Sequence, residues 1–305
     1  MRPGTVAPWR GPGLGPGLQD ALAPIAPAVG LLTQLGDTWF LLALALATYL
    51  FGPSLPRLGL DRRDGARMLA VALGAVAVTH TLKELIGAPR PAPGPPPAPS
   101  YLPTMLEGAY EWLVHASTGA FPSGHALGAT AVWGGLAVLT TWPDRGRRFA
   151  LASAVVLVVV ASRVVLGLHV LGDVLAGMGI GLVVLGVLVR LPSAGHALAA
   201  VLGAAVVGVA LVPDGESAAI LGAAVAVTVV WWGFGDALST VDPGVGRVLG
   251  AAVPLGVGTI GSALLVERGG PSPVVIAIVT TLAGLIVLTV PLLVDVRGRA
   301  VLFGR

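Results

Sequence analysis

The sequence has no cysteine, and Lys83 is the only lysine among its 18 basic residues. Without cysteine there is no disulfide framework, zinc–thiolate site, iron–sulfur cluster or cysteine nucleophile. Charge is scarce as well. Only 11% of residues are charged, against roughly a quarter in an ordinary soluble domain, while 55% are hydrophobic and the mean hydropathy is +0.89. So few charges cannot cover the surface of a 305-residue soluble protein, and so apolar a chain is not disordered. What remains is a polytopic membrane protein. The net charge of +3 is small and spread along the chain, which gives no basis for nucleic-acid binding.

Residues 1–20 are rich in Gly and Pro and lack an apolar core of signal-peptide type, so they read as an irregular tail. Residues 18–30 are apolar but broken by Pro24 and Pro27, and are placed at the membrane interface. Nine apolar runs then approach the length needed to cross roughly 30 Å of hydrocarbon. They are 31–51, 67–87, 122–142, 149–168, 170–190, 197–213, 217–235, 247–266 and 273–294, with 197–213 the shortest. The expected fold is an all-α transmembrane bundle of about nine spans. Its divisions are a tail and interfacial segment (1–30), a catalytic unit (31–195) and further helices of unassigned role (196–305).

Arginine placement orients the bundle. If every run crosses once, Arg57, Arg62, Arg63, Arg67, Arg145, Arg147, Arg148, Arg190, Arg247, Arg297, Arg299 and Arg305 share one face. Arg2, Arg10, Arg268, Lys83, Arg90 and Arg163 share the other. The richer face is cytoplasmic by the positive-inside rule. The expectation is a multi-pass protein of the cell membrane, with the loop 88–121 outside.

Three segments converge on that outer face: Lys83 through Arg90 and Pro91; Pro122, Ser123, Gly124 and His125; and Ser162, Arg163, His169 and Asp173. Lys83, Arg90 and Arg163 are cations at the edge of hydrocarbon, a costly placement unless they meet an anion. Guanidinium forks match phosphate oxygens in pairs, and lysine adds a point charge. Ser123 and Gly124 open a helix whose N–H groups can face an anion. His125 and His169 are of the right type for general acid and nucleophile. Asp173 follows His169 by four residues, so on a helix its carboxylate can hold one ring nitrogen and leave the other free.

The spacing K-x6-R-P, P-S-G-H and S-R-x5-H-x3-D resembles the type 2 phosphatidic acid phosphatase superfamily, with all three motifs intact over about residues 31–190. The resemblance implies His169 as a nucleophile forming a phosphohistidine and Asp173 as its orienting carboxylate. It implies His125 as the group that protonates the leaving oxygen and then activates water. Lys83, Arg90, Ser123, Gly124 and Arg163 would bind the phosphoryl oxygens. It also implies a lipid phosphate substrate met among membrane lipids, no metal and no cofactor. Vanadium haloperoxidases share the motifs but are soluble. A lipid phosphotransferase would use the same phosphohistidine, and a non-catalytic lipid-binding or transport protein is a third reading.

Two further residues are candidates. His80 sits one turn before Lys83, where it either packs or lines the site. Asp37 would be an ordinary N-cap if a helix began at Thr38, but residues 38–51 cover only about 21 Å. The helix is therefore expected to start nearer Leu31, with Asp37 partly buried near the outer face. His115 and His196 read as solvated, and Glu84 as structural. Residues 89–103 carry eight prolines and cannot be helical, whereas 104–116 fit a short surface helix, either a plain loop element or a lip over the site. Gly128, Gly134, Gly135, Gly177, Gly179 and Gly181 fit close helix packing.

Overall fold

The structure, a computed structural model, describes residues 10–13, 15–91, 94–115, 118–241 and 272–294. Among these every regular element is helical: α1 (Pro16–Leu22), α2 (Ala26–Thr33), α3 (Thr38–Phe51), α4 (Arg62–Ile86), α5 (Thr104–Val114), α6 (Gly124–Leu139), α7 (Arg145–Val165), α8 (Leu171–Arg190), α9 (Ala194–Leu211), α10 (Gly215–Thr240) and α11 (Pro273–Val294). Six of them, α4 and α7 through α11, are long and apolar enough to cross a membrane. The segment Asp20–Gly36 and the segment Thr38–Ser54 make a seventh if a pair bent by 45° counts as one span. The 16 residues of α6 are apolar but shorter. The chain is a multi-pass helical membrane protein. The eighth hydropathy run, 247–266, lies outside the described residues, as do Arg2, Arg247, Arg268, Arg297, Arg299 and Arg305.

Helix starts follow side-chain caps. Asp61 and Asp64 form a reciprocal capping box on α4, and Ser123, Asp144, Ser193 and Asp214 cap α6, α7, α9 and α10. Gly87 ends α4 in the left-handed conformation at φ 56°, where a side chain would be strained. The first run differs from its expected form. Its helix begins at Thr38, Asp37 accepts the Trp39 N–H as N-cap, and the missing length is supplied by the bent helical segment before it. Helix also begins earlier than expected, at Pro16, within the stretch read as tail.

The hub is α4, which packs against α3, α6, α8, α9 and α10. Its small residues allow this. A Cβ on Gly65 would lie 2.4 Å from the Tyr49 backbone, and one on Gly74 would meet Leu188 and Val201. The short run around 197–213 lies along α4, with Val201 beside Gly74 and Gly208 beside Thr81, so α9 traverses the bundle to the end where α4 stops. From there α10 runs back parallel to α11, with Gly215 facing Ile276 and Gly284 facing Ala226. At the far end, arginines close helix C-termini. Buried Arg62 donates to the carbonyls of Tyr49, Leu50 and Val241, and Arg67 to those of Val189, Leu191 and Pro192.

α6 and α8 meet through glycine. A Cβ on Gly177 would sit 2.5 Å from the Ser123 carbonyl oxygen, and one on Gly181 2.5 Å from that of Leu127. Gly128, Gly134 and Gly135 are packed in the same way against Leu41, Leu185 and Met68, but Gly179 faces open space. Gly177→Ala should therefore destabilise the bundle by about 1–3 kcal/mol, the usual range for overpacking, while Gly179→Ala should not. Thermal unfolding of both variants in detergent checks this, and equal melting points would contradict it.

Candidate active site

One end of the bundle gathers the N-termini of α3, α6, α8 and α10 and the C-termini of α4 and α7. Helix N-termini favour anions and C-termini favour cations. Lys83 and Arg163 stand in the last turns of α4 and α7, as that rule prefers. The three sequence motifs meet here. Lys83 Nζ donates to Thr118 Oγ1 at 2.9 Å. Arg90 donates from Nε to the Thr118 carbonyl and from Nη1 to the Leu168 carbonyl, each at 3.1 Å. Buried Arg163 has only long contacts from Nη1, 3.4 Å each to Thr33 Oγ1 and His125 Nε2, and its Nε has no hydrogen-bond partner among the described residues. Among those residues none of the three cations has a carboxylate within salt-bridge distance.

His169 sits in the turn between α7 and α8, only 1% exposed. Its Nδ1 lies 3.3 Å from Asp173 Oδ2, and its Nε2 lies 3.4 Å from Arg90 Nη1. A carboxylate only accepts, so Nδ1 carries the proton and Nε2 holds the lone pair. Burial pushes the imidazole pKa well below its usual value, helped by Arg163, Arg90 and Lys83 and opposed by Asp173. The ring is therefore neutral at neutral pH. Burial also draws the Arg90 guanidinium down to about 10, which still leaves it charged.

His125 is held differently. Its Nε2 lies 3.3 Å from Asp37 Oδ2 and 3.4 Å from Arg163 Nη1. One nitrogen cannot serve both at once. Protonated, it donates to Asp37; bare, it accepts from Arg163. Asp37 is thus both a helix cap and the partner of a motif histidine. Ser123 is fully buried, and its N–H donates to the Asp173 carbonyl at 3.0 Å, tying the second motif to the third. Gly124 faces Lys83, with a would-be Cβ 3.7 Å from Nζ.

A cavity of about 200 Å³ opens against this group. Asp37, Lys83, Arg90, His125, Arg163 and Glu216 line its polar half, and Leu41, Ala72, Ala75, Val76 and Val132 its apolar half. His169 and Asp173 lie behind Arg90 and do not line it. His115, read as merely solvated, does. α5 packs on α2, with Tyr110 and Val114 buried against Ala26, Leu166 and Leu168, and leaves Met105 and Trp112 exposed.

His80 is buried between two carboxylates, with Nε2 3.1 Å from Asp214 and Nδ1 3.3 Å from Glu216. Asp214 also caps α10 through the Ser217 N–H at 2.7 Å. These two acids escape a reading by motif, although the span count does place them on the motif face. Arg10 is the larger surprise. It is 1% exposed and grips Asp173 with two donors, Nε to Oδ1 at 2.7 Å and Nη2 to Oδ2 at 2.8 Å. The only signal in the sequence was an arginine on the arginine-poor face.

Residues 64–196, the stretch that carries all three motifs, match the model of the PAP2 superfamily. Carried on membrane-length helices, this stretch supports a membrane phosphatase. The chain is also similar to a solved structure, that of the first transmembrane PAP2-type phosphatidylglycerolphosphate phosphatase from Bacillus subtilis. The identity is 27%, the match covers 57% of this chain and 85% of that one, and the TM-score is 0.40. No curated protein matches.

Asparagine also caps helices, so Asp37→Asn should hold helix stability within about 0.5 kcal/mol while removing the charge opposite His125. Phosphate release should fall on the order of tenfold or more, as expected when general acid–base chemistry is disturbed. Assay and thermal unfolding in the same detergent check this, and unchanged activity would show that the pair plays no part.

Proposed function

We propose that the protein hydrolyses a lipid phosphomonoester or pyrophosphate through a phosphohistidine, at the extracytoplasmic face of the cell membrane. The observation that carries this reading is the cavity itself. Three cations, none with a carboxylate in salt-bridge distance among the described residues, stand on its polar side, apolar side chains form the other, and Lys83, Arg163, Ala72, Ala75 and Val76 lie in membrane-length helices. An amphiphile with a phosphate head satisfies both walls, whereas a soluble anion satisfies only the cationic one.

The phosphoryl group is received by Lys83, Arg90 and Arg163, with the N-terminus of α6 at Ser123 and Gly124. Its oxygens take the Arg90 donors that now face His169, which uncovers Nε2. The Nε2 lone pair attacks phosphorus in line with the scissile P–O bond. Nδ1–H stays on Asp173, which stabilises the imidazolium as the P–N bond forms. The leaving oxygen takes the proton from His125 Nε2, and that nitrogen then accepts from Arg163. A water next attacks the phosphohistidine and gives its proton back to His125. The P–N bond breaks toward His169, and inorganic phosphate departs. Asp37 and Arg163 give His125 a partner in each of its two protonation states. Positive charge from three side chains takes the place that a divalent ion has in other phosphatases, so we assign the reaction no metal and no cofactor. Residues 31–195 supply the catalytic unit, and the helices after 196 bring Glu216 to the cavity wall.

His169→Ala removes the attacking nitrogen and little volume, so phosphate release should drop by at least about a thousandfold while the protein still folds. Acid quenching of the wild type with labelled substrate should trap the label on His169, and label on a serine would refute the assignment. Because the His169 pKa is depressed, activity should persist below the ordinary imidazole range and fall only in stronger acid. Release should survive EDTA. Transfer to an added alcohol in preference to water would mark a phosphotransferase.

The face is tested in this cysteine-free chain by single cysteines at the exposed positions Ser100, Pro213 and Ser193. A membrane-impermeant maleimide should reach the first two in intact cells and Ser193 only after lysis. The reverse pattern would put the site inside.

A further inference from the structure

We propose that Arg10 is a positioning residue for the reaction: it holds Asp173 ionised and fixed in rotation, and so keeps the His169 lone pair on Nε2. This rests on the role proposed for His169. Asp173 is 0% exposed and its two oxygens meet four donors. Oδ1 accepts from Arg10 Nε, and Oδ2 accepts from Arg10 Nη2, from the Val170 N–H at 3.2 Å and from His169 Nδ1. The Arg10 bonds, at 2.7 and 2.8 Å, are the shortest of the set and the only ones that come from a cation held from outside the helix. Without them a buried carboxylate is free to rotate or take up a proton, and a protonated oxygen would donate to Nδ1 and move the lone pair to the wrong nitrogen.

The third arm reaches the other side of the ring. Arg10 Nη1 donates to the Pro89 carbonyl at 2.7 Å, next to Arg90, whose own Nη1 faces His169 Nε2. One guanidinium therefore fixes what stands at both nitrogens. The backbone is built to seat it. The Leu171 N–H, left without a partner at the start of α8, donates to the Pro12 carbonyl at 3.1 Å. Gly172 has no side chain where one would strike Arg10, its would-be Cβ lying 2.3 Å from the Arg10 carbonyl oxygen. Gly172 lies inside the third motif at a position the motif leaves open, so its smallness is accounted for by this contact.

The test uses the full chain in detergent with Arg10→Gln, Arg10→Lys and Gly172→Ala. Arg10→Gln should lower kcat on the order of tenfold to a hundredfold, the penalty of a displaced reacting group, with KM for the lipid phosphate changed by less than about threefold because the three phosphate cations remain. Arg10→Lys, which keeps the charge, should recover part of the loss, and Gly172→Ala should behave as Arg10→Gln. A structural role alone would not move the titration of His169, so that is read separately by 15N-histidine NMR. The groups facing this ring are Asp173 on α8, Arg163 on α7, Lys83 on α4, Arg90 in the loop and Arg10 behind Asp173. Removing the Arg10 charge takes away a cation that repels a second proton, so the Asp173–His169 pair keeps that proton up to a higher pH. The His169 pKa should therefore rise by about one unit or more in Arg10→Gln and stay near wild type in Arg10→Lys. An unmoved titration in Arg10→Gln, or a loss confined to KM, would overturn the proposal. A wild type that releases no phosphate from any lipid phosphate would refute the phosphatase reading instead, and the titration would still decide the role of Arg10.

Discussion

Three cations stand at the edge of an apolar bundle, and among the described residues none has a carboxylate within salt-bridge distance, an arrangement the surrounding architecture is built to tolerate. Lys83 and Arg163 lie in the last turns of α4 and α7, where helix carbonyls offset part of their charge. Arg90 and Lys83 share Thr118 as an acceptor, and Arg163 keeps an Nε with no hydrogen-bond partner among the described residues. Hydrogen bonds to neutral groups hold the heads in place without neutralising them. The N-termini of α6 and α8 add partial positive charge to the same place. An anion is the missing component, and the apolar side of the cavity restricts which anions fit.

Each motif histidine has one carboxylate and one guanidinium as neighbours, yet the two arrangements differ. At His169 the partners face opposite ring nitrogens, Asp173 at Nδ1 and Arg90 at Nε2, so the tautomer is settled. At His125 both partners face Nε2, so that nitrogen is served whether or not it holds a proton. The first suits a nucleophile and the second suits proton exchange. The same residue types yield two behaviours because of where the partners stand.

Close packing makes this geometry possible. Gly177 and Gly181 let α8 lie against the backbone of α6, and that contact holds Asp173 beside Ser123. Gly65 and Gly74 do the same for α4 against α3, α8 and α9. At the opposite end Arg62 and Arg67 close carbonyls of helix ends, so arginines that orient the chain by charge also satisfy its backbone.

The membrane class, most of the helices and the three motifs were legible in the sequence because each is a local signal. Hydropathy over some 20 residues marks a span, and the motif spacings are short enough for one helix end or one turn. Asp37 illustrates the limit. Its place beside a helix start was readable, but its pairing with His125, 88 positions away, depends on how α3 packs on α6. Glu216 reaches the cavity only because α9 traverses the bundle along α4. Arg10 was least readable of all. It sits in a Gly- and Pro-rich stretch with no periodicity, and only the tertiary fold brings it against Asp173 across 163 positions of chain. Residue types and their spacing determined which chemistry is available here. The folded bundle decided which charges are neighbours, because a buried ion pair forms wherever packing brings donor to acceptor, however far apart they lie in sequence.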